Sequence, residues 1–254
     1  MIKNGVRIKM ELVTILSVSF NSEKTIAKTI ESVLNQTYDN IEYIIIDGAS
    51  KDNTAQIARS YIPQFEAREG RSLKVVSEPD QGMYDGLNKG ANWAHGVIVG
   101  QINTDDWYEP DAVENMMKLY QETHYDVAWG SIRIIKPTGD MIKHAKIGKL
   151  WTTGGFCHPA MFTKRSILLE FPYPLETMHD DFDFITAVHQ AGKYIVTKDI
   201  VISNYVFGGM STRKNFKEVR ERIHNSYGIY KKYGMSRFYW FHRAFTEIAK
   251  YLLG

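Results

Sequence analysis

Two adjacent carboxylates, Asp105 and Asp106 in "GQINTDDWYEP", follow an apolar run, Val97 to Ile102, that reads as a buried strand. Charges at the end of a core strand cost free energy unless something positive neutralises them. A bound divalent cation is one answer, and hard ions such as Mg²⁺ and Mn²⁺ suit one or two carboxylates completed by phosphate oxygens and water. The plainer alternative is that Asp106 caps the helix expected from "PDAVENMMKLY". A second acidic group, Asp180, Asp181 and Asp183, opens the helical pattern of "MHDDFDFITAVHQAGK". The helix macrodipole favours acids there whether or not one of them does chemistry. His158 and His179 fit no usual zinc spacing, and the single cysteine, Cys157, cannot complete one, so a structural or acceptor-side role is expected for the histidines.

The elements that must position these groups alternate in type. "VTILSVSF", "EYIIIDG", "LKVVSEP" and the run before Asp105 read as buried strands. Between them, Ile26, Ile30, Val33 and Leu34, then Ile57, Tyr61 and Phe65 in "DNTAQIARSYIPQF", then Met83, Leu87, Ala91 and Ala94 recur at helical spacing. Asn21 and Ser22 are the expected N-caps of the first helix. Strand and helix in alternation predict an α/β fold with a mostly parallel central sheet flanked by helices, whose ligands gather at the carboxyl ends of the strands. Those ends carry Ser19-Phe20-Asn21, Asp47-Gly48-Ala49-Ser50, Glu78-Pro79-Asp80-Gln81-Gly82 and Asn103-Thr104-Asp105-Asp106. Each piece alone is ordinary turn chemistry, and Asp52 alone could be a helix cap.

Composition narrows the function classes. The chain has 254 residues, 44% of them hydrophobic, and 31 Lys plus Arg stand against 29 Asp plus Glu. A net charge of +2 does not suit a nucleic-acid binder, and none is expected as a partner. One cysteine excludes an intramolecular disulfide framework and fits a reducing compartment, with Cys157 as a small buried thiol. With neither a leader-like start nor a stretch long enough to span a bilayer, a cytoplasmic location is expected, on a membrane surface at most.

Taken in order, the strand ends resemble those of a family 2 glycosyltransferase of the GT-A fold, the inverting nucleotide-sugar transferases. The matching residues are "VSFN", "IIIDGASKDNT", "SEPDQGMYDGLNKG" and "NTDDWYEP", followed by "HPAMFTKR", "HDDFDFITAVHQAGK" and "GGMST". The resemblance covers roughly residues 12 to 213, and the ordered set is more specific than any one motif. It implies a nucleoside diphosphate sugar donor, a carbohydrate or lipid-linked acceptor, and Mn²⁺ or Mg²⁺ stabilising the departing diphosphate. Asp105 is then the principal metal ligand, while Asp106 binds the ion through water or holds the donor sugar. Asn103 stands where the Asp-x-Asp pattern has its first aspartate, which leaves the site one negative charge short. Ser19, Phe20, Asn21, Asp47 and Asp80 form the nucleoside pocket, with Phe20 stacking on the base and the two carboxylates accepting from a base edge or ribose. An imide N–H facing a carboxylate means uracil or thymine, so UDP-sugar is the leading donor, with GDP- and dTDP-sugars as the family's alternatives. Phe20 as a core aromatic is the alternative. Asp181 aligns with the family's base, which takes the acceptor proton as the hydroxyl attacks the anomeric carbon, and Asp180 is the reserve one residue away.

"GGMSTRK", residues 208 to 214, combines a Gly pair with Arg213 and Lys214 and suits a loop closing over a diphosphate, or else is an ordinary basic loop. The expected division is a catalytic domain over residues 1–214 and a basic, aromatic helical region over 215–254. That region reads equally as an interfacial membrane helix or as a tail packing on protein. Two other function classes fit less of the pattern. A sugar nucleotidyltransferase calls for a Gly-rich basic loop where "SFNSEKT" stands, and a non-catalytic nucleotide-sugar binding module has no need of Asp105 and Asp181. Acceptor and linkage depend on pocket shape and on the stretch from about 133 to 155, and are not legible.

Overall fold

Runs rich in Ile and Val form the strands, and helices of 3.6-residue period lie on them. The computed structural model describes residues 2–3, 6–7, 10–208 and 216–253. Short strands β1 (Ile2–Lys3) and β2 (Val6–Arg7) pair antiparallel apart from the main sheet. The first half then alternates: β3 (Val13–Ser19), α1 (Ile26–Leu34), β4 (Ile41–Asp47), α2 (Thr54–Ser60), α3 (Ile62–Glu66), β5 (Arg71–Ser77), α4 (Met83–Trp93) and β6 (Ile98–Gln101). The second half comprises β7 (Trp107–Tyr108), α5 (Ala112–Thr123), β8 (Val127–Ile135), β9 (Met141–Lys143), β10 (Met161–Lys164), α6 (Arg165–Glu170), α7 (Asp180–Gln190) and β11 (Ile195–Val206). Helices α8 (Phe216–Lys232) and α9 (Arg237–Leu253) follow.

The main sheet runs β5-β4-β3-β6-β10-β8-β11-β7, with β9 on the side of β8. Its first four strands are parallel, as expected. Beyond β6 the sheet is mixed: β10 is antiparallel to both β6 and β8, β11 is parallel to β8, and β7 is antiparallel to β11. The expectation of a mostly parallel sheet therefore holds for the half that alternates with helices. Register pairs Ser19 with Asp47 and Asp47 with Ser77, so three expected site strands end in one row.

Three local expectations change. The first helix starts at Ile26 with Thr25 as N-cap; Asn21 has φ 50°, and the Ser22 carbonyl accepts from the N–H groups of Thr25 and Ile26. The pattern from Thr54 to Phe65 splits at Tyr61 into α2 and α3, because Pro63 has no N–H to continue the ladder. The N-cap of α5 is Asp111, so Asp106 is not the cap of the helix that follows it.

Helix α8 packs on α7, and α9 packs on α8. Lys232 Nζ lies 2.9 Å from the buried Asp183 carboxylate, Tyr233 Oη donates to Asp183 Oδ1 at 2.5 Å, and the Tyr230 ring meets Phe182 edge-on at 5.7 Å. The expected boundary at 214/215 lies outside the described residues. Among the described residues no helix is long and apolar enough to cross a membrane.

Gly86 and Gly90, one turn apart on α4, let that helix lie close on β3 and β4. A Cβ at Gly86 would stand 2.7 Å from Val18 Cγ1, on a stiff branched side chain of a central strand. In an open helix Gly→Ala gains up to about 1 kcal/mol. Here Gly86→Ala is expected to destabilise instead, by roughly 1–3 kcal/mol, because overpacking outweighs propensity. Thermal and urea unfolding of the variant check the sign.

Candidate active site

The row of strand ends is built around Asp47, which is fully buried. Its Oδ1 accepts from Ser19 Oγ at 3.1 Å and from Ser50 Oγ; its Oδ2 accepts from Ser50 N–H at 3.0 Å and Ser77 Oγ at 2.6 Å. Both oxygens are thus committed to protein donors, which makes Asp47 the organiser of the pocket floor. Reading a base edge directly, as expected from the sequence, would require it to give up one of these bonds. Asp80 sits above it: its Oδ1 accepts from Gly82 N–H at 2.9 Å, and a Cβ on Gly48 would come within 2.8 Å of its Oδ2. Phe20 leaves the end of β3 with 64% of its surface exposed, so it is not the core aromatic. Asn21 turns the chain away through its positive φ, its N–H donating to Ser50 Oγ at 2.8 Å and its Oδ1 accepting from Lys51 N–H at 2.9 Å. An exposed ring above a polar floor is a surface on which a planar base can stack.

Asp105 and Asp106 follow β6 in a loop clamped from two sides. Thr29 Oγ1 of α1 donates to the Asp106 carbonyl at 2.6 Å, and Thr104 Oγ1 meets Ser22 Oγ at 2.9 Å. Asp106 is 1% exposed; its Oδ1 accepts from Val206 N–H at the end of β11 at 3.0 Å, while its Oδ2 is buried with no partner among the described residues. Burial first, and the neighbouring Asp105 charge second, push the Asp106 carboxyl up to about 8. Asp105 keeps solvent-exposed surface, yet protein flanks it closely enough to raise its carboxyl as well. Among the described residues no group of three or more His, Cys, Asp or Glu could hold an ion. The pair nonetheless fits Mg²⁺ or Mn²⁺: both ions accept few protein ligands, and no described residue bonds the buried Oδ2 of Asp106.

The three acids of α7 divide by their bonding. Asp180 is buried and saturated, accepting from Glu176 N–H at 3.0 Å, Thr177 N–H at 2.8 Å and Thr177 Oγ1 at 3.1 Å. Asp183 is committed to Lys232 and Tyr233. Asp181 is half-buried, and its one described hydrogen bond is at Oδ1, from Phe182 N–H at 2.7 Å. Burial raises the Tyr84 and Tyr173 hydroxyls and lowers the His158 and His179 imidazoles, while the nearby Asp181 carboxylate adds to the first effect and opposes the second. Burial outweighs this at His158 and holds the imidazole below the ordinary histidine value.

Of the polar group beside Asp181, sequence reasoning singled out His158, with a structural or acceptor-side role, and missed Gln101 and Tyr173. Gln101 Oε1 accepts from Tyr173 Oη at 2.8 Å and pairs with His158 Nε2 at 2.9 Å. Asn88 on α4 grips the Tyr173 backbone through both amide atoms, at 2.9 Å each, and Tyr84 Oη donates to the Met178 carbonyl at 3.2 Å. The one available signal was a glutamine closing an apolar strand four residues before the Asp pair. Cys157 is buried and free, as expected. Asp52 serves the backbone, accepting from Thr54 N–H at 3.0 Å and Glu23 N–H at 3.1 Å. Arg213 and the rest of its loop beyond Gly208 lie outside the described residues.

Comparison with known proteins bears on this geometry. The model of the family described as Glycosyl transferase family 2 matches residues 14–192. A chondroitin synthase of Pasteurella multocida (strain Pm70) is 27% identical over 216 residues, which cover 82% of this chain and 22% of that protein. A PGL/p-HBAD biosynthesis glycosyltransferase of Mycobacterium tuberculosis (strain ATCC 25618 / H37Rv) is 27% identical over 218 residues, 83% of each. The chain spans only about a quarter of the length of the first relatives it matches. Among solved structures, S. aureus TarS 1-349 in complex with UDP-GlcNAc shares the fold with a TM-score of 0.69 at 17% identity, over 95% of this chain and 71% of that one.

The raised Asp106 pKa has a direct consequence for stability. In the folded chain the carboxyl keeps its proton to about 8, whereas the unfolded value is near 3.8. Between those pH values the folded state binds more protons, so Asp106 lowers the free energy of unfolding as pH rises. Asp106→Asn should therefore show a flatter dependence than the parent from about pH 5 to about pH 8, gaining on it toward the alkaline end. Thermal melts in the presence of a metal chelator check this; parallel curves would mean that Asp106 ionises normally.

Proposed function

Since the chain belongs to glycosyl transferase family 2, we propose that it moves a sugar from a nucleoside diphosphate sugar, UDP-sugar by preference, to an acceptor hydroxyl with inversion. The observation that carries this reading is the buried Oδ2 of Asp106, without a partner among the described residues, beside Asp105 at the carboxyl end of β6, a place suited to positive charge. Asp105 with Asp106 would hold Mn²⁺ or Mg²⁺, which when bound supplies charge stabilisation to the departing diphosphate. Phe20 stacks on the base, Ser19 and Asn21 shape the pocket beside it, Asp47 keeps its floor rigid, and Asp80 is the carboxylate left to accept from the nucleoside. Arg213 is assigned to the diphosphate. The UDP-GlcNAc bound to TarS supports a UDP donor.

Asp181 is assigned as the base. Of the three acids in its turn it has the fewest bonds, so it has an acceptor oxygen to offer an incoming hydroxyl. As that oxygen attacks the anomeric carbon, its proton passes to the Asp181 carboxylate and the bond from carbon to diphosphate breaks. Asp180 positions this residue by holding the turn from Glu176 to Thr177. The acceptor is a carbohydrate or a lipid-linked sugar in surface polysaccharide or glycolipid synthesis, and a relative named as a chondroitin synthase supports a carbohydrate product. The chain works on the cytoplasmic side, in peripheral contact with the membrane.

Two variants test this assignment. Asp181→Asn should lower kcat by ~10²–10⁴-fold with UDP affinity unchanged, whereas Asp180→Asn should lower the melting temperature and cost less in turnover. Retention of full turnover by Asp181→Asn would place the base elsewhere. Asp105→Ala should remove the Mn²⁺-dependent part of UDP's thermal stabilisation in a folded protein. Calorimetry showing unchanged Mn²⁺-dependent UDP binding in that variant would reject the metal assignment.

A further inference from the structure

Helix α9 is amphipathic in the reverse of the usual sense. Its inner face carries Arg243 and Glu247, both buried; Glu247 lies 2.7 Å from Arg222 of α8 and 3.4 Å from Arg243, which also donates to Thr153 Oγ1. Its outer face carries Phe238, Phe241, Phe245, Ile248 and Leu252, spaced by three and four residues, with Phe245 73% and Leu252 72% exposed. A surface helix ordinarily turns such a stripe into the core. Here the ionic side holds the inner position, and a row of large apolar side chains faces solvent along the helix. A contiguous exposed row of this kind marks an interaction surface.

Charge decides which partner fits. Helix α8 lies antiparallel beside α9, with ring contacts between Phe216 and Tyr251 at 6.3 Å and between Tyr227 and Trp240 at 5.9 Å. On α8, Phe216, Arg220, His224, Tyr227 and Lys231 are all exposed and recur at helical spacing on one face. Arg220 and Lys231 form no ion pair with a described residue, and Glu221, beside Arg220, is the exposed acid of α8. Residues 216–253 hold eight Lys or Arg against three acids, and one of those acids, Glu247, is buried. A second copy of this chain would bring a basic row against a basic row. An anionic bilayer offers phosphates to the basic row and the boundary of the acyl chains to the aromatic one.

We infer that α8 and α9 form a docking face for an anionic lipid bilayer, with the α9 row dipping into the headgroup boundary and Arg220 and Lys231 pairing with lipid phosphates. The α8 end of this face grips α7 through Tyr230 and Lys232, with Tyr233 just after it, so docking would set the first turn of α7, with Asp181, at a fixed height above the membrane. This deepens the proposed function by naming the surface that meets the membrane, and it rests on that reading only for the lipid-linked acceptor. Vesicle binding is read without donor or acceptor, so either conclusion can fail while the other stands.

The test is flotation of the full chain with vesicles of phosphatidylcholine, with and without roughly a third phosphatidylglycerol. The chain should bind the anionic vesicles and bind pure phosphatidylcholine much more weakly. Phe241→Ser combined with Phe245→Ser should lower the partition at least ~10-fold, given the apolar area withdrawn. Arg220→Glu combined with Lys231→Glu should erase the preference for anionic lipid. An unchanged melting temperature and far-UV circular dichroism in both variants would show that the fold is intact. Equal vesicle binding by the Phe241/Phe245 variant overturns the inference. So does a chain that ignores vesicles, whether light scattering finds a dimer that the same variant dissociates, which would make a second copy the occupant, or finds a monomer.

Discussion

The Asp106 carboxylate is withdrawn from water with one oxygen bonded to Val206 N–H and the other without a partner among the described residues. An ionised carboxylate in that position costs on the order of several kcal/mol unless a proton or a cation accompanies it. The surrounding structure accepts this cost by construction. Thr29 on α1 holds the Asp106 carbonyl, β7 pairs with β11 immediately afterwards, and the Val206 bond joins the loop after β6 to the far end of the mixed half of the sheet. The parallel half therefore meets the mixed half at a point of electrostatic tension, and the proposed metal and diphosphate would relieve it there.

The other acids show how a fold separates structural from chemical work. Asp47, Asp180 and Asp183 are each buried, and each has its oxygens filled by serines, backbone N–H groups, or Lys232 and Tyr233. Saturated carboxylates hold shape, because giving up a charge-assisted bond is expensive. Asp105, Asp181 and the Oδ2 of Asp106 are the ones left with capacity among the described residues. The counter-charge for Asp183 is Lys232 at the end of α8, so α8 helps to position the turn that presents Asp181. That same packing turns the ionic side of α9 inward and its aromatic row outward.

Much of this was legible in the chain. Apolar runs of Ile and Val marked β3, β4 and β6, helical spacing marked α1 and α4, and the polar residues at the strand ends marked where a ligand would sit. These signals are local: a strand buried on both faces must be apolar throughout, and a helix lying on a sheet must be apolar every third or fourth residue. The break at Tyr61 was written there as well, in Pro63, and was overridden only by the attraction of a long periodic pattern.

What the sequence by itself determined is the alternating α/β half, its order of motifs and the acidic character of two strand and helix ends, since each depends on residues within one or two turns of each other. Only tertiary structure decided which acids are spent and which are available, because hydrogen-bond saturation depends on partners as distant as Val206 for Asp106 and Lys232 for Asp183. It also decided the antiparallel insertion of β10 between β6 and β8, the grouping of Gln101, His158 and Tyr173 beside Asp181, and the direction in which α9 faces. An amphipathic pattern shows that a helix has two sides. Which side turns inward is settled by the partner that tertiary packing offers, here Arg222 of α8 for Glu247.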